Sequence, residues 1–306
     1  MNIDSLKVNL QYFMPKHLIT RFVGVLAGAK LGTVTTSFIK LFIRAYDINT
    51  DEIADKLTDF KTFNDFFSRA LKKGARPIDE APDSLVFPAD GKISQFGDLI
   101  GNFQMQAKNH YFTTSALLAD EADAKLFNNG KFITVYLSPQ DYHRVHIPVA
   151  GKLLKMTHIP GELFSVNPLY TADIPELFSR NERVVCLFDT KFGKMALVFV
   201  GAAIVRSIET AWEGIVAPSK SPTVTTKSYA SENITFDKGA EIGKFMMGST
   251  VICLFEKNRI NFADTLDIEQ KTKVGQKMAT TVSKAQKSKP ESKTKTTLRS
   301  KKSAKK

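Results

Sequence analysis

The chain has 306 residues, 43% of them hydrophobic and 10% aromatic, with a formal net charge of +12, enough apolar material for one sizeable core or one domain with appendages. The charge is confined to one end: residues 271–306 hold twelve lysines and Arg299 against the single acid Glu291, and the rest balances at 30 basic and 30 acidic residues. A neutral body without a basic stripe and interleaved aromatics argues against nucleic acid as a partner. Two cysteines, Cys186 and Cys253, each inside an apolar run, exclude a disulfide framework and fit a reducing cytosolic setting.

Residues 5–46 contain no acid, while Lys7, Lys16, Arg21, Lys30, Lys40 and Arg44 interrupt an apolar text. Phe38, Leu41, Phe42 and Ala45 recur at helical spacing. An amphipathic helix packed on the body and a helical hairpin lying in a membrane interface both fit this pattern. The one-sided charge favours the interface. The run at 22–29 is too short for a bilayer span of ~20 residues and lacks the order of a cleaved signal, so neither export nor a membrane span is expected. Residues 51–74 read as helical again, with Thr62 as a start and Gly74 and Pro77 marking the end.

From about residue 84 short β-rich runs follow, at 132–137, 184–188, 196–208 and 250–255, bounded by Gly, Pro and Asn. Pro88-Ala-Asp-Gly91-Lys-Ile and Pro148-Val-Ala-Gly151-Lys-Leu echo one another as turns entering strands. Helices first and strands afterwards predict an α+β fold, N-terminal amphipathic helices followed by a predominantly antiparallel β body. The expected division is a helical, membrane-associating region over 1–75, a catalytic body over 76–258, and a C-terminal extension over 259–306 that is disordered from about 271, where Lys, Ser and Thr cannot offset their ordering entropy.

Three local features could carry chemistry, and each has an ordinary explanation. Met247-Gly248-Ser249-Thr250, at the entrance to the apolar run VICLF, reads as a turn by itself. Asp141-Tyr-His143-Arg-Val-His146 follows the run FITVYL; no third ligand sits at a suggestive spacing, so no metal is expected. Asp90 precedes Gly91 as a turn residue would.

Together these features resemble something specific. FFSRALKKGARPID (66–79), FPADGKIS (87–94), YLSPQDYHRVHIPVAG (136–151), PGELFSVN (160–167), NERVVCLFDT (181–190), SIETAWEG (207–214) and MGST (247–250) are similar, in order and separation, to the phosphatidylserine decarboxylase family, over roughly residues 5–280. Met247 stands where that family usually has Leu, a volume-conserving change. The lysine-rich tail is not part of the family pattern.

The resemblance implies a charge relay of Asp90, His146 and Ser249 that cleaves the chain's own backbone between Gly248 and Ser249. A serine hydroxyl needs an adjacent base, and a carboxylate on the other ring nitrogen steadies the imidazolium. Attack on the Gly248 carbonyl gives an ester, elimination gives dehydroalanine, and hydrolysis leaves a pyruvoyl group at the head of the smaller fragment. This covalent pyruvoyl cofactor, derived from Ser249, is the implied electron sink. It forms a Schiff base with phosphatidylserine, releases CO2, and yields phosphatidylethanolamine. His143 is the candidate proton donor, although in an extended segment positions 143 and 146 face opposite sides and a turn is needed to bring both inward. His17, His110 and His158 receive no role.

The implied protein is a heterodimer of two self-cleavage fragments, 1–248 and 249–306, open to further dimerisation. It acts peripherally on the cytoplasmic side of the cell membrane, with an anionic phospholipid surface as partner. The backbone around residues 164–167 is the expected phosphate cradle. A pyruvoyl enzyme for a soluble amino acid fits less well, because it has no use for an acid-free apolar N-terminus. A non-catalytic membrane scaffold is the remaining alternative, and fragment masses separate it from an enzyme.

Overall fold

The computed structural model describes residues 12, 15–107, 110–202, 207–218, 221–246 and 249–282. Helices α1 (Lys16–Ala27), α2 (Thr33–Tyr46) and α3 (Phe63–Phe67) share a small core of their own, built from Ala27, Ile39, Ile48, Ile53, Phe60, Phe63, Phe66 and Phe67. Phe42 of α2 sets its ring 5.0, 6.4 and 6.2 Å from those of Phe63, Phe66 and Phe67, edge contacts that suit the aromatic quadrupole. The outer side of the pair stays apolar: Leu18 and Phe22 are each 67% exposed, Leu41 62% and Val34 61%. No described helix is long and apolar enough to cross a membrane.

The helix expected across 51–74 is reduced to Phe63–Phe67. Thr62 does start it, accepting from the Asp65 amide at 3.1 Å while the Asp65 carboxylate accepts from the Thr62 amide at 3.0 Å, a reciprocal capping box. Upstream the chain bridges back on itself instead, Ile53 opposite Leu71 and the Lys72 amide on the Glu52 carbonyl. Ile53 and Phe60 are thereby buried, and tertiary packing overrides the weak helical preference of a Thr- and Asp-rich stretch.

The body is β-rich, and every strand pairing in it is antiparallel. Its largest sheet runs Thr225–Ser228, Gly151–Ile159, Arg183–Thr190, Gly193–Val200, Ser249–Phe255, Lys131–Leu137, Gly91–Asp98 and Lys271–Thr272, with Thr235–Phe236 also paired to Gly151–Ile159. The inner strands are buried on both faces, which explains their continuous apolar text. Cys186 and Cys253 sit there as free, buried thiols. A second sheet holds Gly214–Ala217, Ile208–Thr210, Glu241–Phe245 and Arg144–His146, and a third Ser84–Val86, Lys277–Thr281 and Ile260–Phe262. Gly91 and Gly151 each open a strand, as their shared sequence context predicts. At Gly91 a Cβ would fall on the Tyr136 carbonyl, so only glycine allows the strands to meet there.

Two expectations are corrected. The run at 196–208 ends as a strand at Val200. The disorder expected from about 271 does not begin there: Lys271–Thr272 pairs with Gly91–Asp98 and Lys277–Thr281 with Ser84–Val86. Val274, Met278 and Ala279 are buried, and these few apolar residues, spaced to reach the core, outweigh the surrounding lysines. Residues 283–306 of the tail lie outside the described residues. Met278→Ala is expected to destabilise the fold by about 2–5 kcal/mol, read as a lower urea midpoint; an unchanged midpoint would mean that the 271–282 segment does not belong to the core.

Candidate active site

Asp90 sits in the turn entering the Gly91–Asp98 strand and is 6% exposed. Its carboxylate accepts Arg76 Nε at 3.0 and 2.9 Å and the Val274 amide at 2.9 Å. Arg76 Nη2 reaches Glu52 as well, at 2.8 Å. The pair raises Arg76 above its ordinary value despite the opposing effect of burial, through hydrogen bonds to Asp90 and Glu52. A planar fork on a carboxylate is the strongest ion-pair geometry available to these groups.

His146 closes the Arg144–His146 strand, its amide on the Pro88 carbonyl at 2.8 Å. Its Nδ1 lies 2.8 Å from the Gly239 carbonyl and its Nε2 3.2 Å from the Tyr142 hydroxyl. A carbonyl only accepts, so Nδ1 carries the proton and Nε2 accepts from Tyr142. Burial lowers the basicity of His146, opposed by the Gly239 carbonyl and by the charges of Glu241 and Asp90. Asp90 thus acts on His146 through its field. The direct Asp90–His146 hydrogen bond of a relay is not formed, because Arg76 occupies the carboxylate and Gly239 occupies Nδ1.

His143 lies in different surroundings. The loop after Lys131–Leu137 turns tightly, the Asp141 amide on the Ser138 carbonyl at 2.9 Å and the Ser138 amide on Asp141 Oδ2 at 2.7 Å. That turn carries His143 into the interior, where it is fully buried and stacks on Phe67 with centroids 4.1 Å apart. Its Nε2 donates to the Ser138 carbonyl at 3.1 Å, and its Nδ1 has no partner among the described residues. Burial first, and the Arg69 charge second, push it down to about 3, so the resting ring is neutral. Burial holds the neighbouring Asp141 carboxyl up to about 6.

Ser249 heads the Ser249–Phe255 strand and pairs with Leu137, next to Ser138. Its Oγ is buried without a hydrogen-bond partner among the described residues. An orphaned buried hydroxyl at a strand entrance is what a serine converted to another group would leave in its precursor, so the position fits a carbonyl prosthetic group derived from it. Met247 and Gly248 lie outside the described residues. Ser249 and His143 therefore gather at one end of the Lys131–Leu137 strand, while His146 and Asp90 meet where Pro88 touches the Arg144–His146 strand. Among the described residues no group of three His, Cys, Asp or Glu side chains is placed to hold a metal.

A groove of about 730 Å³ lies between the helices and residues 136–139 and 165–167 of the body, within the range of ligand pockets, ~300–1,000 Å³. Leu26, Val34, Phe38 and Phe67 form its apolar side, and Tyr136, Pro139, Ser165 and Asn167 its polar end. Tyr136 is the sheet partner of Thr250 and Leu137 that of Ser249, so the polar end lies one residue along the sheet from Ser249, whose side chain faces the other side. Of the expected phosphate cradle, the Phe164 amide is already bound to Asn181 and the Asn167 amide to Ser165 Oγ, so the polar groups this stretch presents to the groove are side chains rather than free amides at those two positions. Arg76, Arg69 and Tyr142 escaped the sequence reading. They lie in the same motif segments as the residues it found, but only the fold shows whom they face.

Comparison with known proteins gives the family. A family model described as "Phosphatidylserine decarboxylase" matches residues 63–280, and one described as "PSD" matches residues 6–47. The chain belongs to the phosphatidylserine decarboxylase family. It is 51% identical over 283 residues to a protein named phosphatidylserine decarboxylase proenzyme from Shewanella woodyi, covering 90% of this chain and 99% of that relative. A protein of the same name from Alteromonas mediterranea is 50% identical over 299 residues, covering 96% and 92%. Family membership accounts for the motif order, and the ion pair at Asp90 is the feature of the site most exposed to test. Arg76→Met leaves a buried carboxylate uncompensated and is expected to cost about 3–5 kcal/mol, measured as a fall in unfolding midpoint; a loss below 1 kcal/mol would show that the pair is not needed to hold the turn.

Proposed function

We propose that this protein decarboxylates phosphatidylserine to phosphatidylethanolamine after cutting itself between Gly248 and Ser249. The observation that carries the proposal is the Ser249 hydroxyl, buried and without a partner among the described residues, at the head of a central strand in a chain of this family. In self-cleavage Oγ attacks the Gly248 carbonyl, the amide C–N bond breaks, and an ester forms. Loss of the Cα proton and the Cβ–O bond then leaves a carboxylate on Gly248 and dehydroalanine at 249, which water converts to a pyruvoyl group with release of ammonia. His146 is the base in this reading, its Nε2 being the ring nitrogen that accepts, with Asp90 steadying the imidazolium through space. Tyr142 must release Nε2 for that to happen.

The pyruvoyl group derived from Ser249 supplies an electrophilic carbonyl that draws off the electron pair left when CO2 departs. The groove admits an acyl chain along Leu26, Phe38 and Phe67 and leaves the headgroup beside Tyr136, Ser165 and Asn167. His143 is the proton donor to the product carbon. A ring held to about 3 is a strong acid once charged, and an anionic headgroup entering next to it provides the counter-charge that lets it take up a proton.

In this reading the two fragments stay together as a heterodimer, supported by the strands they share. The smaller would place Ser249–Phe255 between Lys131–Leu137 and Gly193–Val200 and add strands to two sheets. Mass spectrometry of the purified protein is expected to find two species meeting at 248/249, the smaller blocked to Edman chemistry, that co-elute until denaturant is added. Ser249→Ala should stay full length. A single uncut species with decarboxylase activity would refute the mechanism.

The same reading places the protein peripherally on the cytoplasmic face of the cell membrane. Leu18, Phe22, Leu41 and Val34 present apolar area flanked by exposed Arg21, Lys30, Lys40 and Arg44, the composition of an interfacial hairpin. Residues 283–306 add nine lysines and Arg299 against Glu291, each close cation contributing up to about 1 kcal/mol on anionic lipid. Deleting 283–306 is expected to weaken binding to phosphatidylserine vesicles at low salt by at least tenfold; unchanged binding would remove the tail from the membrane contact.

A further inference from the structure

The helical unit touches the loop bearing His143 at three consecutive residues. Phe67 stacks on the imidazole, the Ser68 carbonyl accepts Arg144 Nε at 3.0 Å, and Arg69 Nη2 donates to the carbonyls of Gln140 and Asp141 at 2.8 and 3.1 Å. Arg69 is an unusual group to spend on two carbonyls. It is 4% exposed, its guanidinium carbon lies 5.3 Å from the Phe66 ring centre, and its Nε and Nη1 are buried with no partner among the described residues. Desolvation brings it down to about 10. Burying a guanidinium with idle donors opposes stability, so a role in stability alone does not explain it.

Its position does. The two carbonyls it holds belong to the turn that also closes through Asp141 N to Ser138 O and Ser138 N to Asp141 Oδ2. The Ser138 carbonyl at the base of that turn is the acceptor of His143 Nε2. Fixing the turn therefore fixes which ring nitrogen carries hydrogen. We propose that Arg69 is a positioning residue for His143, clamping the 138–141 turn so that the imidazole is kept in the Nε2–H form against Phe67, with Nδ1 left to take up a proton.

The charges around the ring fit that assignment. Asp141 turns its carboxylate back to the Ser138 amide, Arg144 faces Ser68 and Glu241, and the Ser249–Phe255 strand contributes only the neutral serine. Arg69 is the one charged side chain that acts on His143 directly, in the direction that favours the neutral ring. Phe67 also lines the groove, so the clamp and the groove wall lie two residues apart in one rigid segment. The inference rests on the proposed role of His143 for its effect on turnover, but not for its effect on the ring itself.

The test uses self-cleaved protein labelled with 15N-histidine, comparing wild type, Arg69→Met, Arg69→Gln and Arg69→Lys, with His143→Asn assigning the resonance among five histidines. Ring-nitrogen shifts report the tautomer. Wild type should show His143 as a single Nε2–H form; Arg69→Met and Arg69→Gln should show averaging between tautomers, and Arg69→Lys should recover most of the wild-type pattern. Turnover on short-chain phosphatidylserine micelles should fall at least tenfold in kcat for Arg69→Met with KM within about threefold, the signature of an interaction needed after binding. An unchanged tautomer in both Arg69→Met and Arg69→Gln overturns the clamp, and so does a loss confined to KM. If Arg69→Met does not fold, Arg69→Gln carries the same two readouts. Full activity in His143→Asn would refute the proton-donor role and leave the tautomer measurement to judge Arg69 separately.

Discussion

A hydroxyl buried without a hydrogen-bond partner among the described residues, at the head of a strand locked between two others, is the constraint on which the site depends. Leaving a polar group unpaired costs about 1–3 kcal/mol. Ser249 bears that cost beside Leu137 and Thr250 in the most apolar part of the largest sheet. The surrounding strands, buried on both faces, supply the stability that lets such a group persist. They also keep water away from Ser249, as the proposed self-cleavage would require.

From that point the structure works as a set of clamps reaching in from outside the sheet. Arg76 holds Asp90, Arg69 holds the turn before His143, and Phe67 covers the imidazole. Phe67 and Arg69 come from the N-terminal unit, as does Glu52, which binds Arg76 at the start of the body. Ion pairs of this kind, buried and bidentate, fix geometry more than they add stability. The consequence is a site whose acid–base groups are oriented by a module that also presents apolar surface to its surroundings. Order at the site is then a property of one short stretch, 63–76, packed against the helices that carry the exposed apolar residues.

The two histidines illustrate how three residues of separation become two different chemistries. His146 has both ring nitrogens engaged, by Gly239 and Tyr142, and lies within the field of Asp90. His143 has one nitrogen engaged and one bare, in full burial beside a cation. The turn at 138–141 makes the difference, since an unbroken strand would only have alternated their faces.

Much of this was legible without coordinates. The α+β order, the apolar strands at 132–137 and 250–255, the Thr62 start and the family motifs follow from local rules: side-chain period, capping chemistry and turn residues act over a few positions. The family resemblance likewise singled out Asp90, His146 and Ser249 as a set, with His143 added beside them as the candidate proton donor. What only the tertiary structure decided concerns partners distant in sequence. Ile53 chooses Leu71 over a helix, Val274 and Met278 draw a lysine-rich segment into the core, and Arg76 rather than His146 takes the carboxylate of Asp90. Each is a competition between a weak local preference and a contact made across tens of residues, and the winner depends on which groups are desolvated together, a quantity that exists only once the chain has folded.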